Sequence, residues 1–394
     1  MTVTSPTGFI AAGVACGLKK SGNKDLALVQ NLGPLYNSAV VFTSNRCKAN
    51  PILWSQQVIA DGRVEAIVLN SGGANCYTGS QGFQVTHSTA ESVADALGIS
   101  AGDVLVCSTG LIGEQLPLEK LQAGVHLASE ALGEATANSL EAGIAAAEAI
   151  MTTDSKPKTV QISGGSAAAG NYSIGGMAKG AGMLAPGLAT MLVVITTDAH
   201  LESHELDTAL RAATRVTFDR LDSDGCMSTN DQVTLMASGA SGVSPELLEF
   251  TDRLTEACAS LALQLQADAE GASHDIAITV LGAATEDDAV KVGRSVARNN
   301  LFKAAIFGND ANWGRVLAAV GTTSAEFDPY NIDVSFNGVQ VCQAGQPDQP
   351  RDLVDLTPRA VDIQIDLKVG THTATIYTND LTHDYVHENS AYSS

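Results

Sequence analysis

Several features are missing from this chain, and each absence narrows the reading. No apolar run approaches the ~20 residues that a membrane-spanning helix needs. The opening Met1-Thr-Val-Thr-Ser-Pro lacks the charged-then-apolar pattern of a secretory signal, so a cytoplasmic location is expected. Positive charge is scarce: Lys and Arg number 22 against 43 Asp and Glu, a formal net charge of −21, and no basic run breaks the balance. Nucleic acid and anionic membrane surfaces are therefore poor partners, and neither is expected. The acidity itself serves solubility and is no guide to substrate. No C-x-x-C occurs. The seven cysteines stand singly at 16, 47, 76, 107, 226, 258 and 342, an odd count that fits buried thiols in a reducing compartment better than a disulfide framework. None of the eight histidines falls in a motif with Ser or Cys. His383-Asp-Tyr-Val-His387 has the spacing of H-E-x-x-H but lacks its Glu and an apolar helix around it, so no metal site is expected.

What is present points to a folded protein of some size. The chain has 394 residues, of which 45% are hydrophobic, enough for a large core and for two or more lobes. Residues 66–69 read as a buried strand that delivers Asn70 and the turn Ser71-Gly72-Gly73 to its end. A helix is expected over 82–97, stopped by Gly98. Residues 104–107 form a second buried strand ending in Ser108-Thr109-Gly110. Pro117 opens one helix, and another, with Leu140, Ile144, Ala147 and Met151 on one face, leads to Thr152-Thr153-Asp154. The polar, glycine-rich stretch 156–175 reads as a mobile surface loop.

Further on, a helix spans about 203–216 and a strand 232–236. Ser244 with Pro245 is expected to cap a long helix, and 275–281 alternates as a strand. Thr285-Glu-Asp-Asp288 has the form of a capping box, and the remainder is β-rich. The fold class expected is α+β: a layered sheet-and-helix sandwich in two lobes.

One stretch, 175–198, says most about chemistry. A glycine-rich loop carries a single cation, Lys179, and the turn Ala185-Pro186-Gly187 follows. Ala189 and Thr190 then lead into the β-branched run 192–195, which reads as a buried strand. The loop does not match G-x-x-x-x-G-K-[ST] and leads into a strand, whereas phosphate loops open a helix. A threonine at the head of a buried strand after a glycine-rich loop has two readings: an ordinary turn leading into a strand, where Thr is a good strand residue, or the layout of a nucleophile made by self-cleavage. The hydroxyl attacks the preceding carbonyl, the ester is hydrolysed, and the new threonine keeps a free amine that serves as its own base. An unperturbed α-amine has a pKa of roughly 7.7–8.0, so it works near neutral pH.

Lys179-Gly-Ala-Gly-Met-Leu-Ala-Pro-Gly-Leu-Ala-Thr190-Met-Leu resembles the cleavage motif of the ornithine acetyltransferases, the glutamate N-acetyltransferases of arginine biosynthesis. Six further stretches match in order: Leu69-Asn-Ser-Gly-Gly-Ala-Asn75, Cys107-Ser-Thr-Gly-Leu-Ile-Gly113, Phe218-Asp-Arg, Ser228-Thr-Asn-Asp231, Asn312-Trp-Gly-Arg315 and Glu388-Asn-Ser-Ala-Tyr-Ser-Ser394. Gly187 departs from the pattern, where the family often has Asn or Ser.

The resemblance implies a fold related to self-processed aminopeptidases. It also implies cleavage between Ala189 and Thr190, giving chains 1–189 and 190–394 that assemble as a heterotetramer. Acetyl would move from N-acetylornithine to Thr190 and then to glutamate. Thr109 and Gly110 would form the oxyanion hole. Thr152, Lys179, Thr190, Glu270, Asn389 and Ser394 would form the substrate site. No metal or organic cofactor is implied, and acetyl-CoA stands as a possible second donor. Two rival readings stay open at this point: a self-processed aminopeptidase or amidase, and an amino-acid-binding protein with an inert Thr190.

Overall fold

In a computed structural model, which describes residues 1–166, 170–185 and 191–391, the apolar runs form three sheets. The strands are β1 (Phe9–Val14), β2 (Leu26–Asn31), β3 (Asn37–Phe42), β4 (Ala66–Ser71), β5 (Val104–Thr109), β6 (Lys158–Ser166), β7 (Gly170–Lys179), β8 (Leu192–Thr197), β9 (Gln232–Ala237), β10 (Asp275–Ala283), β11 (Asp333–Phe336), β12 (Val339–Gln343), β13 (Gln346–Pro347), β14 (Ala360–Asp366) and β15 (His372–Asn379). The helices are α1 (Asn50–Val58), α2 (Gly79–Leu97), α3 (Leu118–Leu132), α4 (Leu140–Ala149), α5 (Ser203–Val216), α6 (Leu247–Ala267), α7 (Glu286–Ala297), α8 (Asn300–Phe307), α9 (Trp313–Val320) and α10 (His383–Ala391). Among the described residues no helix is long and apolar enough to cross a membrane.

Two sheets, ordered β1-β2-β4-β5 and β3-β9-β8-β7-β6, stack face to face. Strand alternation produces the stacking directly. In β8, Leu192 and Val194 point into the core between the sheets, where they meet Leu69 of β4 and Leu105 and Cys107 of β5. Val193 and Ile195 point the other way, against Leu206 and Leu210 of α5 and Leu254 and Leu261 of α6. In β5 the other face, Val104 and Val106, packs on Val85 of α2 and Leu121 of α3. The result is helix, sheet, sheet, helix. A strand buried on both faces reads as an unbroken apolar run, as 192–195 does. The third sheet, β13-β12-β11-β14-β10-β15, carries its own core with α7, α8 and α9, and forms a second lobe. The architecture is α+β and layered, as expected.

Two local expectations fail. The stretch 156–175 is a β-hairpin: Lys158 pairs with Ala178, and the ladder runs to Ser166 opposite Gly170. Its glycines serve close approach. A Cβ on Gly164 would lie 2.2 Å from Cζ of Tyr172, and one on Gly175 would lie 2.2 Å from the Thr2 carbonyl oxygen. The long helix opens at Leu247 rather than near Ser244, because Glu246 is still extended at φ −64° and ψ 136°.

Strand order sets up the site. β7 ends at Lys179 opposite Leu192, where β8 begins, and β9 runs parallel to β8 with Gln232 beside Leu192. The connection 180–191 therefore emerges from the edge where the sheets present Lys179, Leu192 and Gln232.

Candidate active site

Three of the sequence motifs meet at the end of β5. Ser108 donates its hydroxyl to Asn70 Oδ1 at 2.6 Å. The Asn230 side-chain amide donates to the carbonyls of Ala74 at 2.6 Å and Ser108 at 2.8 Å. The Gly73 N–H donates to the Thr109 carbonyl at 2.9 Å. This lacing holds Thr109, which is 1% exposed, in one orientation. Gly110 follows at φ +129°, and a Cβ there would sit 2.5 Å from the Gly73 nitrogen, so only glycine lets the chain turn at this point.

Lys179 comes to the same place from the second sheet. Its ammonium donates to the Thr109 hydroxyl oxygen at 3.3 Å. It is 1% exposed and forms no ion pair with a described carboxylate. Burial pushes its pKa down, against the pull of Asp154, Asp231 and Glu270.

Asp154 is the principal counter-charge. It accepts from the Lys158 ammonium at 2.5 Å, the Gly180 N–H at 2.7 Å and the Thr152 N–H at 3.0 Å. Burial alone would raise its pKa, but Lys179, Lys158 and the Gly180 N–H outweigh that and hold it at about 2. Lys158 also reaches Asp268 at 2.6 Å, tying the hairpin to the end of α6.

The folded value lies below the ordinary aspartate value of about 3.9, so Asp154 stabilises the fold above pH ~4. That contribution fades as the pH falls from about 4 toward about 2. Asp154→Asn removes the main counter-charge of the buried Lys179 and one of the two carboxylates on Lys158, which keeps Asp268, at a cost of about 3–5 kcal/mol. Urea unfolding at pH 7 is expected to show that loss, and the gap to wild type is expected to narrow near pH 2. Equal stability of the two proteins at pH 7 would contradict this account.

Glu270 sits just beyond α6. Its N–H donates to the Ala181 carbonyl at 3.0 Å, and a Cβ on Gly182 would lie 2.7 Å from its carboxylate oxygens. Loop 180–185 therefore runs directly over this carboxylate. The Asn389 side chain on α10 donates to it at 3.0 Å. α10 is held by Thr382, whose hydroxyl donates to the Gly271 carbonyl at 2.6 Å. His383 lies edge-on against Phe307, with 5.4 Å between ring centroids. Among the described residues no three His, Cys, Asp or Glu side chains gather as metal ligands.

Of the residues singled out in the sequence, Thr109, Gly110 and Lys179 are brought together. Glu270 and Asn389 form a second pair beside the same loop. Thr152 joins through its backbone N–H and is otherwise exposed. Ala189, Thr190 and Ser394 lie outside the described residues.

The structure adds Asp231, from a matched motif but not singled out by sequence reasoning. Its Oδ1 accepts the Met191 N–H at 3.0 Å, and Oδ2 is buried with no hydrogen-bond partner of ordinary geometry among the described residues. Burial pushes its pKa well up, although the nearby Ser228 hydroxyl and Lys179 act the other way. A carboxylate on the peptide that follows Thr190 has no signal beyond its place at the start of a buried strand.

The family model described as the ArgJ family matches residues 10–394. The arginine biosynthesis bifunctional protein ArgJ of Streptomyces coelicolor is 59% identical over 394 residues, covering 100% of both chains. The protein of the same name from Streptomyces avermitilis is 60% identical with the same coverage. Among solved structures, the ornithine acetyltransferase of Mycobacterium tuberculosis, complexed with ornithine, is 51% identical over 48% of this chain and 96% of that one, with a TM-score of 0.44. A match that runs nearly end to end, with relatives of equal length at this identity, places the chain in the ArgJ family of arginine-biosynthesis enzymes.

Proposed function

We propose that this enzyme transfers acetyl from N-acetylornithine to glutamate through an ester on Thr190, after cutting its own chain between Ala189 and Thr190. The observation that carries the reading is the contact between the Thr109 hydroxyl and the Lys179 ammonium, both buried, beside the strand that Thr190 precedes. The full-length relatives named for arginine biosynthesis support the same assignment.

The Thr190 oxygen attacks the acetyl carbonyl, and its proton passes to the freed α-amine. The tetrahedral oxyanion is met by the Thr109 hydroxyl and the Gly110 N–H. The C–N bond breaks, and ornithine leaves with the proton from the α-ammonium. The glutamate amine then attacks the ester carbonyl, its proton passing to the α-amine. The same oxyanion collapses, the C–O bond to Thr190 breaks, the Thr190 oxygen takes back a proton from the α-ammonium, and N-acetylglutamate leaves. Lys179 pairs with the substrate α-carboxylate, and Glu270 with the ornithine ammonium. Thr152, Asn389 and Ser394 complete the walls. Acetyl-CoA is the candidate second acetyl donor to the same threonine, to be tested with glutamate as acceptor.

The fragments 1–189 and 190–394 stay associated, because β7 from the first and β8 from the second are neighbours in one ladder. Two such pairs form the heterotetramer, in the cytoplasm and without nucleic-acid or membrane partners. The deciding assay follows acetyl from N-acetylornithine: appearance of N-acetylglutamate supports transfer, whereas free acetate alone would mean a hydrolase. The base is an amine and the oxyanion donors are protein groups, so no cofactor is required. Turnover is expected to survive exhaustive chelation. Activity lost to a chelator and restored by zinc would reopen His383 and His387 as ligands.

A further inference from the structure

Beside loop 180–185 lies a cavity of ≈ 310 Å³, within the roughly 300–1,000 Å³ range of small-molecule sites. Its lining includes Asp224, Glu270, Lys303, Asn379 and Tyr385. It adjoins the proposed substrate site, because Glu270 lines it and the N–H groups of Ser223 and Asp224 both donate to the Leu184 carbonyl, Ser223 at 2.5 Å. Lys303, on α8, is the unusual member. It is 6% exposed. Its ammonium donates to the Ser223 carbonyl and, at 3.3 Å, to the Thr378 hydroxyl.

No described carboxylate forms an ion pair with Lys303, and its carboxylate neighbours have other partners, although Oδ1 of Asp222 is buried without one of ordinary geometry. Asp222 holds Arg298 at 2.8 Å, and Asp380 holds His274 at 2.7 Å. Asp224 accepts the Cys226 N–H at 3.1 Å, and N–H groups of Met183 and Leu184. Burial presses the Lys303 pKa down to about 8, while Asp224, Asp222 and Asp380 pull it up. A buried ammonium without a paired anion is costly unless something supplies the anion.

The proposed reaction has an unusual demand. One site must accept two amino acids whose side chains carry opposite charge at about the same reach: the ornithine ammonium, then the glutamate γ-carboxylate. A cavity of one sign would reject one of them. We infer that Lys303 receives the γ-carboxylate of the acceptor glutamate, in the same cavity whose Glu270 and Asp224 carboxylates suit the ornithine ammonium. This rests on the acetyl-exchange reading given above.

The test compares glutamate with glutamine as acetyl acceptor, in wild type and in Lys303→Gln. Glutamine has the same length and shape but no charge. Wild type is expected to prefer glutamate strongly. A lost charge-assisted hydrogen bond corresponds to about a ten- to hundredfold change. Lys303→Gln is therefore expected to cut the glutamate-to-glutamine ratio of kcat/KM by that factor, mainly through KM for glutamate. The ratio does not depend on how much of the variant folds. An unchanged ratio, with wild type exchanging acetyl normally, overturns the Lys303 assignment and leaves the reaction intact. A wild-type enzyme that acetylates neither acceptor overturns the reaction, and this inference with it.

Discussion

Thr190→Ala protein is expected to remain one chain of 40.6 kDa on a denaturing gel, where wild type runs as two fragments. It is also expected to transfer no acetyl. The hydroxyl has two tasks in the proposed scheme. It cuts the chain, and it then carries the acetyl group. Removing it abolishes both, so the loss of activity approaches the whole rate enhancement.

The surroundings support cleavage at this bond. Downstream, the Met191 N–H is held by Asp231 and Leu192 is locked into the sheet. Upstream, the Leu184 carbonyl accepts from the Ser223 N–H, and the Ala181 carbonyl accepts from the Glu270 N–H. The segment is therefore anchored on both sides. Edman sequencing of the smaller-numbered end of the second fragment should begin Thr-Met-Leu-Val. A Thr190→Ala protein that still splits at this bond would show that another group, or a protease, does the cutting. A Thr190→Ser protein separates the requirement for a hydroxyl from the requirement for threonine, since it should still cleave and turn over at a reduced rate.

The elements that carry this site were visible in the sequence as local signals, whereas the roles of Thr109, Gly110, Glu270 and Asn389 came only from the resemblance. Thr109 and Gly110 stand where a buried strand must end, and Lys179 is the single cation of a glycine-rich stretch. The unbroken apolar run at 192–195 announces a strand buried on both faces. The misreading of 156–175 has a physical source. Glycine-rich composition reads as freedom, but Gly164 is needed beneath the Tyr172 ring and Gly175 against the N-terminal segment. Sequence cannot tell a glycine that bends from a glycine that makes room.

The charge network was hidden for a different reason. Lys158 joins Asp154 to Asp268, and nothing along the chain pairs positions so far apart. Lys303 and Asp231 were invisible in the same way. Each looks like an ordinary charged residue, Lys303 within a short helix and Asp231 just before a strand, until packing removes its solvent. The chain's two lobes and its proposed cleavage point also do not coincide. β8 and β9 follow Thr190 yet lie in the same sheet as β3, β6 and β7, which precede it.

Thr109→Val should slow the chemical step far more than it weakens substrate binding. Lys179 donates to the Thr109 oxygen, so the threonine's own hydrogen is left to donate elsewhere. In the proposed reaction it meets the oxyanion, a charge that exists only after the carbonyl has been attacked. An interaction confined to the transition state lowers kcat and kcat/KM together when removed. Loss of one such donor typically costs about 2.7–4 kcal/mol, or roughly 10²–10³ in rate. Valine keeps the β-branch and nearly the volume, so the packing at this 1% exposed position is preserved. It also strips Lys179 of its hydrogen-bond acceptor here, which costs stability of about 1–3 kcal/mol. The assay must therefore use enzyme shown to be folded and fully processed, since self-cleavage passes through its own oxyanion and slows as well. A raised KM for N-acetylornithine with normal kcat would make Thr109 a contact of the bound substrate, and the oxyanion role would pass to other donors.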